Sequence, residues 1–594
     1  MPGSRYDAWV IHGGTSMGIP VTVRMIASGL CCALSLQSAH AQGAAPDAAH
    51  CSALAQSMVG QWPDASTQLV DVHWVAAGAI QLPATPWQPP HAVPVPAHCE
   101  LFGQMQARAG ALGQHYAIRF HLRLPAAWNG RFYFSGGGGS NGELGDALGH
   151  YADSAPGALD QGYAVASQDS GHDNASNNDA AHGGQLVFGF DAQARANYGH
   201  ASLPLVADAA TAAIRGFYGG PARHSYFVGC SKGGEEAMAL AQRYAGRFDG
   251  LVAGAPGMSL PRAALAEAWD TQAFARLLPH AAGKPPSFKG LPDAFTEADF
   301  QLVRAAVLEA CDTLDGLADG IVGDFARCTT RRVLPQLDRR QCHAAQSAGC
   351  IAQAKVDALV RVMGGPRGPQ GKVLYSDWAW DAGIAEMGWR MWKIGAPGGQ
   401  PPALNVVLGG ASLASVFTTP PTALAADPQS LFEYLLGFDF RRAPAGIEAR
   451  AGDFTRSAWQ DVSARSPDLD ALRARGGKLL VWQGVADPVF SVRDTAGWWN
   501  EVHARYAGAE QGFVRFFPVP GMNHCAGGAT TGDFDALGAL VRWVEQGEAP
   551  AQLLATAGPG TPWPGRTRPL CAWPKVARYR AQGDAEQASS FECL

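Results

Sequence analysis

Ser225-Tyr226-Phe227-Val228-Gly229-Cys230-Ser231-Lys232-Gly233-Gly234 passes from an aromatic and β-branched run, through G-x-S-x-G, into helical spacing over residues 235–247. Strand, sharp turn and helix in that order make a nucleophile elbow. The turn forces the serine into strained backbone, so its neighbours must be small, as Gly229 and Gly233 are. A helix N-terminus at the turn also favours developing negative charge. Five residues of motif arise by chance, and a strand-to-helix turn that simply needs glycine is the plainer reading. The flanking strand and helix are what make Ser231 a candidate nucleophile.

The same alternation extends on both sides. Residues 116–124 alternate like a strand, 130–134 enter the glycine run Gly136-Gly137-Gly138-Gly139, and 163–166 form a short buried strand. Residues 205–218 have helical spacing and 251–254 give the next strand. Strand and helix in turn predict the α/β class, a mainly parallel sheet flanked by helices. The pattern stops near Pro256-Gly257 and resumes at 478–483 and 513–517. The expected architecture is an α/β-hydrolase fold in two parts, 42–256 and 467–594, interrupted by an insertion over 257–466. That insertion, at roughly two hundred residues, is domain-sized. The tail after Pro550 reads as loop-rich.

An acid and then a histidine should follow the nucleophile. Asp487 comes just after the strand 478–483, and His524 lies in a loop after the strand 513–517. In this reading His524 takes the Ser231 proton, while Asp487 holds the imidazole tautomer and its cation. Asp494 is the rival acid, further into the following helix. With 17 histidines, any single one is more often structural. His524 stands apart because Cys525 adjoins it as Cys230 adjoins Ser231: if serine and histidine meet, the cysteines are close enough to bond. Acyl transfer also needs donors aimed at an oxyanion. The Lys232 N–H is one, and the glycine run, otherwise a flexible turn, is the source of a second.

A net charge of −6 and no run of Lys or Arg argue against nucleic acid or an anionic membrane as partner. A small uncharged or weakly acidic ligand suits the balance better. Residues 26–36 are apolar, follow Arg24 and lead into Ser38-Ala39-His40-Ala41-Gln42, the pattern of a signal peptide over 1–41, with Met25 a possible start. An exported chain, periplasmic or extracellular and without a membrane anchor after cleavage, is expected. Its ten remaining cysteines favour disulfides. Connectivity is open from sequence. Closeness suggests Cys311–Cys328, Cys342–Cys350 and Cys571–Cys593, which leaves Cys51–Cys99 and Cys230–Cys525.

Asp312, Asp315 and Asp319, spaced by glycines within Asp312-Thr313-Leu314-Asp315-Gly316-Leu317-Ala318-Asp319-Gly320-Ile321, suit a hard cation with oxygen ligands. Calcium fits best, the Leu317 and Ile321 carbonyls adding ligands; a solvated acidic turn is the plain alternative. Its place in the insertion makes the ion structural. Trp378, Trp380, Trp389, Trp392, Phe417, Phe432, Tyr434, Phe438 and Phe440 crowd the same region, mostly as core. A few of them can line a cleft over Ser231 where flat aromatic substrates stack.

Together, Gly229 to Gly234, Asp249 to Pro256, Cys311 to Ile321 and Gly521-Met522-Asn523-His524-Cys525 resemble the tannase and feruloyl esterase family of secreted α/β-hydrolases, across nearly the whole mature chain. The resemblance implies a Ser-His-Asp esterase, a lid with structural calcium, a disulfide between the cysteines beside Ser and His, and Gly139 as second oxyanion donor. A bacterial branch acting on a terephthalate monoester shares Trp128-Asn129-Gly130-Arg131-Phe132, Gly171-His172-Asp173-Asn174 and Trp378 to Gly383. By resemblance to that branch, Leu260, Trp392, Phe417 and Phe490 line the pocket. The branch clamps the substrate carboxylate with a lid arginine; residues 401–417 contain no Arg or Lys, and Leu404 aligns there. An unbalanced carboxylate in an apolar pocket is costly. The expected activity is therefore on neutral aromatic esters of hydroxybenzoyl, galloyl or feruloyl type, with the terephthalate monoester as the alternative. A serine peptidase or amidase and a non-catalytic binding protein on this fold are the other classes.

Overall fold

The computed structural model describes residues 46–83, 89–152, 155–281, 283–343 and 349–594. The proposed leader and Met25 lie outside them. The elbow strand stands inside a sheet of nine strands: β1 (Gln68–Val75), β2 (His98–Ala109), β3 (His115–Pro125), β4 (Arg131–Ser135), β5 (Ala164–Gln168), β6 (His224–Cys230), β7 (Gly250–Gly254), β8 (Lys478–Gly484) and β9 (Val514–Val519). Their order is β1-β2-β3-β5-β4-β6-β7-β8-β9. From β5 to β9 every pairing is parallel. The pairings β1 with β2, β2 with β3 and β3 with β5 are antiparallel.

Both faces of the parallel part are buried, which is why its strands read as continuous apolar runs. On β6, Phe227 joins one core and Tyr226 and Val228 the other. On β8, Leu479 and Val481 face the first core, Leu480 the second. Helices α1 (Ser202–Tyr218) and α2 (Lys232–Arg243) cover the first face with Leu203, Val206, Met238 and Leu240. On the second, Leu537, Leu540 and Trp543 pack from the helix Ala536–Gln546. This is the α/β-hydrolase arrangement.

Between β7 and β8 the chain leaves the sheet. Residues 255–477 form helices and turns, with no sheet strand among those described. A third core, drawn mainly from this segment, buries Trp378, Trp380, Trp389, Phe417, Phe432, Phe438 and Phe440, with Trp392 and Tyr434 packed on its edge. It begins with α3 (Leu260–Ala275), nearly all of it buried. Insertion and sheet pack into one compact unit over Ala45–Leu594.

Strands β1 and β2 were not legible in the sequence. β1 is an edge strand of half-exposed residues, and β2 carries Gly103, Gln104 and Gln106, so neither shows a clean alternation. Helix α2 starts at Lys232, immediately after the turn, and ends at Arg243. The tail is more ordered than its composition implied: Gln552–Thr556 pairs with Thr567–Cys571, and Ala577–Tyr579 with Phe591–Cys593. All five expected disulfides are present: Cys51–Cys99, Cys230–Cys525, Cys311–Cys328, Cys342–Cys350 and Cys571–Cys593.

At the elbow, backbones approach too closely for side chains. A Cβ on Gly229 would sit 2.5 Å from the Gly233 carbonyl, and one on Gly233 would sit 2.7 Å from the Gly137 carbonyl. Gly229→Ala is expected to destabilise the protein by about 1–3 kcal/mol through overpacking. A urea unfolding midpoint checks this; an unchanged midpoint would contradict the contact.

Candidate active site

Ser231 caps α2 with φ 64° and ψ −118°, the strained turn that the motif anticipates. Its N–H donates to the Gly254 carbonyl at 3.0 Å, and its own carbonyl accepts from Gly257 at 3.2 Å. The turn is thereby pinned to the end of β7. Two loops at the same edge of the sheet complete a chain of contacts. His524 Nε2 lies 2.8 Å from Ser231 Oγ, and His524 Nδ1 lies 2.9 Å from Asp487 Oδ2. With Nδ1 donating to the carboxylate, Nε2 is left to accept the hydroxyl proton. Asp487 is 2 % exposed. It accepts further bonds from the Val489 and Phe490 N–H groups and from Gln483 Nε2, so its orientation is set by its own loop. Asp494 points elsewhere, bonded by Arg465 at 2.8 Å.

The histidine loop is clamped from two sides. Cys525, at φ 61°, is bonded to Cys230 on the elbow. From the insertion, Asp381 accepts from the Gly521 N–H at 3.2 Å and the Gly383 N–H at 2.7 Å. Asn523 in turn donates to the carbonyls of Gly383 and Ala486. Burial lifts the Asp381 carboxyl to about 6, with those two N–H groups opposing. The rings of Trp392 and Phe490 meet the imidazole edge-on at 5.5 Å and 5.3 Å.

Sequence reasoning missed the charges beneath the glycine run. Lys232, 1 % exposed, donates to Glu235 at 2.6 Å and to Glu236 at 3.2 Å. Its ammonium also lies 4.8 Å over the Tyr198 ring. Glu236 accepts from the Gly137 N–H at 2.9 Å and from Asn141 at 2.7 Å, while the Tyr198 hydroxyl donates to the Gly139 carbonyl at 3.2 Å. The glycine loop therefore hangs from Glu236 on α2 and from Tyr198. A lysine with glutamates three and four residues on, at the start of a helix, was the available signal.

A cavity of about 210 Å³ opens above Ser231. Leu260, Trp392, Phe417, Phe490, Gly139 and Lys232 line it, as do Tyr198, Glu267, Leu408, Gly409 and Ser412. Leu404 does not: the π-helical turn Asn405–Gly410 rotates Leu408 and Gly409 toward the cavity instead. Drug-sized ligands occupy roughly 300–1,000 Å³, so this space suits a single ring with a short substituent.

At the acidic turn, Asp312 accepts from the N–H groups of Asp319 and Gly320, Asp315 from Leu317, and Asp319 pairs with Arg568. No three His, Cys, Asp or Glu side chains among the described residues converge as metal ligands. The donors are nevertheless all oxygens, and burial together with the Asp319 and Asp312 charges lifts Asp315 to about 7.

The family model described as tannase and feruloyl esterase matches residues 99–594. The chain belongs to the tannase and feruloyl esterase family. Among its relatives, the mono(2-hydroxyethyl) terephthalate hydrolase of Piscinibacter sakaiensis is 41% identical, covering 90% of this chain and 89% of that protein. A probable feruloyl esterase of Arthroderma benhamiae is 31% identical over 80% of this chain and 81% of its own. Feruloyl esterase B from Aspergillus oryzae shares the fold, with a TM-score of 0.71 at 22% identity over 91% of this chain and 99% of its own. Membership in the tannase and feruloyl esterase family makes the protein a carboxylic-ester hydrolase.

Replacing Cys230 and Cys525 together by serine should cost about 2–5 kcal/mol of stability. It should also lower kcat on a p-nitrophenyl ester, because the elbow and the histidine loop lose their covalent link. Thermal melting and initial rates check both; full kcat in the double variant would show that the hydrogen bonds alone hold the pair.

Proposed function

We propose that this ester hydrolase is an exported serine esterase acting on aromatic carboxylic esters. The observation that carries the reading is His524 lying between Ser231 at 2.8 Å and Asp487 at 2.9 Å on the floor of an aromatic-walled cavity. Ser231 Oγ attacks the ester carbonyl as His524 Nε2 takes its proton. The oxyanion that forms meets the N–H groups of Lys232 and Gly139. The intermediate collapses, His524 protonates the departing alkoxide, and the alcohol leaves an acyl-Ser231. Water, deprotonated by His524, then attacks that acyl carbon; the Oγ–acyl bond breaks, the proton returns to Oγ and the acid departs. Asp487 stabilises the imidazolium in both halves.

Aromatic acyl groups are supported by Trp392, Phe417 and Phe490 around a space sized for one ring. The relatives' names point to feruloyl and terephthalate esters. Identity to the terephthalate hydrolase favours its monoester as a second substrate reading; the lack of Lys or Arg in 401–417 opposes it. Export is supported by five disulfides, which persist in oxidising compartments.

Ser231→Ala should lower kcat by about 10⁴-fold or more, and Asp487→Asn by about 10⁴-fold, both with unchanged melting curves. A fluorophosphonate should label Ser231 and no other residue. Labelling that survives in Ser231→Ala would refute the assignment.

The turn carrying Asp312, Asp315 and Asp319, with the Leu317 and Ile321 carbonyls, is read as a structural calcium site in what we take to be the lid. The support is chemical: oxygen donors only, and charge on Asp315 that its surroundings disfavour. Calcium added to chelator-treated protein should raise Tm by about 2–5 °C, and Asp315→Asn should remove the response. An unresponsive Tm would take calcium out of the account.

A further inference from the structure

Helix α3 presents Leu260, Ala263, Ala264 and Glu267 to the cavity, the i, i+3, i+4, i+7 stripe of one helical face. The first three are apolar and small enough to leave room for a ring. The fourth is a carboxyl group, 5 % exposed and without a hydrogen-bonding partner among the described protein groups. The opposite wall accommodates it. A Cβ on Gly409 would overlap a Glu267 carboxyl oxygen, so a side chain is missing there at the point where the carboxyl needs the space. The cation that acts on it, Lys393, is committed to Asp270, and both are fully buried. Burial pushes the Glu267 carboxyl up to about 8, with Lys393 opposing and Asp270 adding to the shift. At neutral pH the group therefore holds its proton and can both donate and accept.

Leu260 marks the reacting end of the stripe. It packs with Phe490 around Gly257, and Phe490 meets the His524 ring at 5.3 Å. Seven residues further along the helix, ~10 Å at 1.5 Å per residue, Glu267 lines the same cavity at the other end of the stripe. Its carboxyl faces the cavity without a protein partner, which leaves a hydrogen-bonding position that a ligand hydroxyl can take.

We propose that Glu267 sets acyl specificity: it hydrogen-bonds a hydroxyl on the aromatic ring remote from the ester and disfavours rings bearing a carboxylate at that place. The proposal rests on the aromatic-ester reading above. A phenolic hydroxyl satisfies the carboxyl in both directions. A carboxylate brings a net charge that no free Lys or Arg among the described residues lining the cavity balances, Lys232 being paired with Glu235 and Glu236. Once Glu267 ionises, the two carboxylates also repel.

The test compares kcat/KM for methyl 4-hydroxybenzoate, methyl benzoate and a terephthalate monoester, always as ratios within one enzyme preparation. The wild-type protein should prefer the hydroxylated ester over the benzoate at least tenfold, and Glu267→Leu should bring that ratio close to one. Between pH 6 and pH 9 the monoester-to-benzoate ratio should fall about tenfold in the wild-type protein as Glu267 loses its proton. In Glu267→Gln, which keeps the shape, the ratio should stay flat. The other titratable groups lining this space are Tyr198, Lys232 and His524, and the buried pair Asp270 and Lys393 acts on Glu267 from behind the wall; all of them remain in the Gln variant. A wild-type protein indifferent to the hydroxyl, or ratios unmoved in both variants, overturns the proposal. Hydrolysis of p-nitrophenyl acetate with none of the aromatic esters would instead bring down the aromatic-ester reading, and this inference with it.

Discussion

The backbone turn at Ser231 constrains everything around it. A non-glycine residue at φ 64° is held there only because its N–H, its carbonyl and its neighbours' missing side chains are all accounted for by surrounding backbone. Gly136, Gly229 and Gly233 meet with no side chain between them, so the loop after β4 lies directly against the elbow. That contact brings Gly139 to the wall beside the serine. Loosening any one of these approaches would displace Ser231 and the glycine loop together.

The histidine reaches the serine from nearly three hundred residues along the chain, and its loop is not rigid by composition. Rigidity comes from outside it. The Cys230–Cys525 bond ties it to the elbow, and Asp381 and Asn523 tie it to the inserted segment. Burying the Asp381 carboxyl is unfavourable, yet its two N–H donors would otherwise be left unpaired. The same trade appears under the glycine loop, where Lys232 and two glutamates are buried together so that Glu236 can hold Gly137 and Asn141. Charged groups are placed where a loop near the reacting atoms has to be fixed.

Chemistry and selectivity come from different parts of the chain. Ser231, His524 and Asp487 stand beyond the C-terminal ends of parallel strands, the usual position for sites on open α/β sheets. Most of the pocket wall comes from 255–477, through α3, Trp392 and the turn at Leu408 and Gly409. One fold can therefore keep its reaction while its acyl preference changes with a few wall residues.

The elbow, the order of serine, acid and histidine, and the alternating sheet were legible in the sequence because each is a local pattern: a spacing, a glycine, a strand followed by a helix. The paired cysteines pointed to one histidine among seventeen for the same reason, by adjacency. Strands β1 and β2 were not legible, since β1 is a half-exposed edge and β2, though buried over its first half, is broken by Gly103, Gln104 and Gln106. Leu404 stood for the pocket wall by alignment, but a π-helical turn shifts which residues face inward, and Leu408 and Gly409 took its place. Nothing in the local pattern marks Glu267, whose carboxyl faces the cavity without a protein partner. Sequence by itself thus determined the fold class and singled out Ser231, Asp487 and His524, because these are written in short-range spacing. Only the tertiary structure decided what holds them and what shapes the pocket, because both depend on contacts between side chains far apart in the chain.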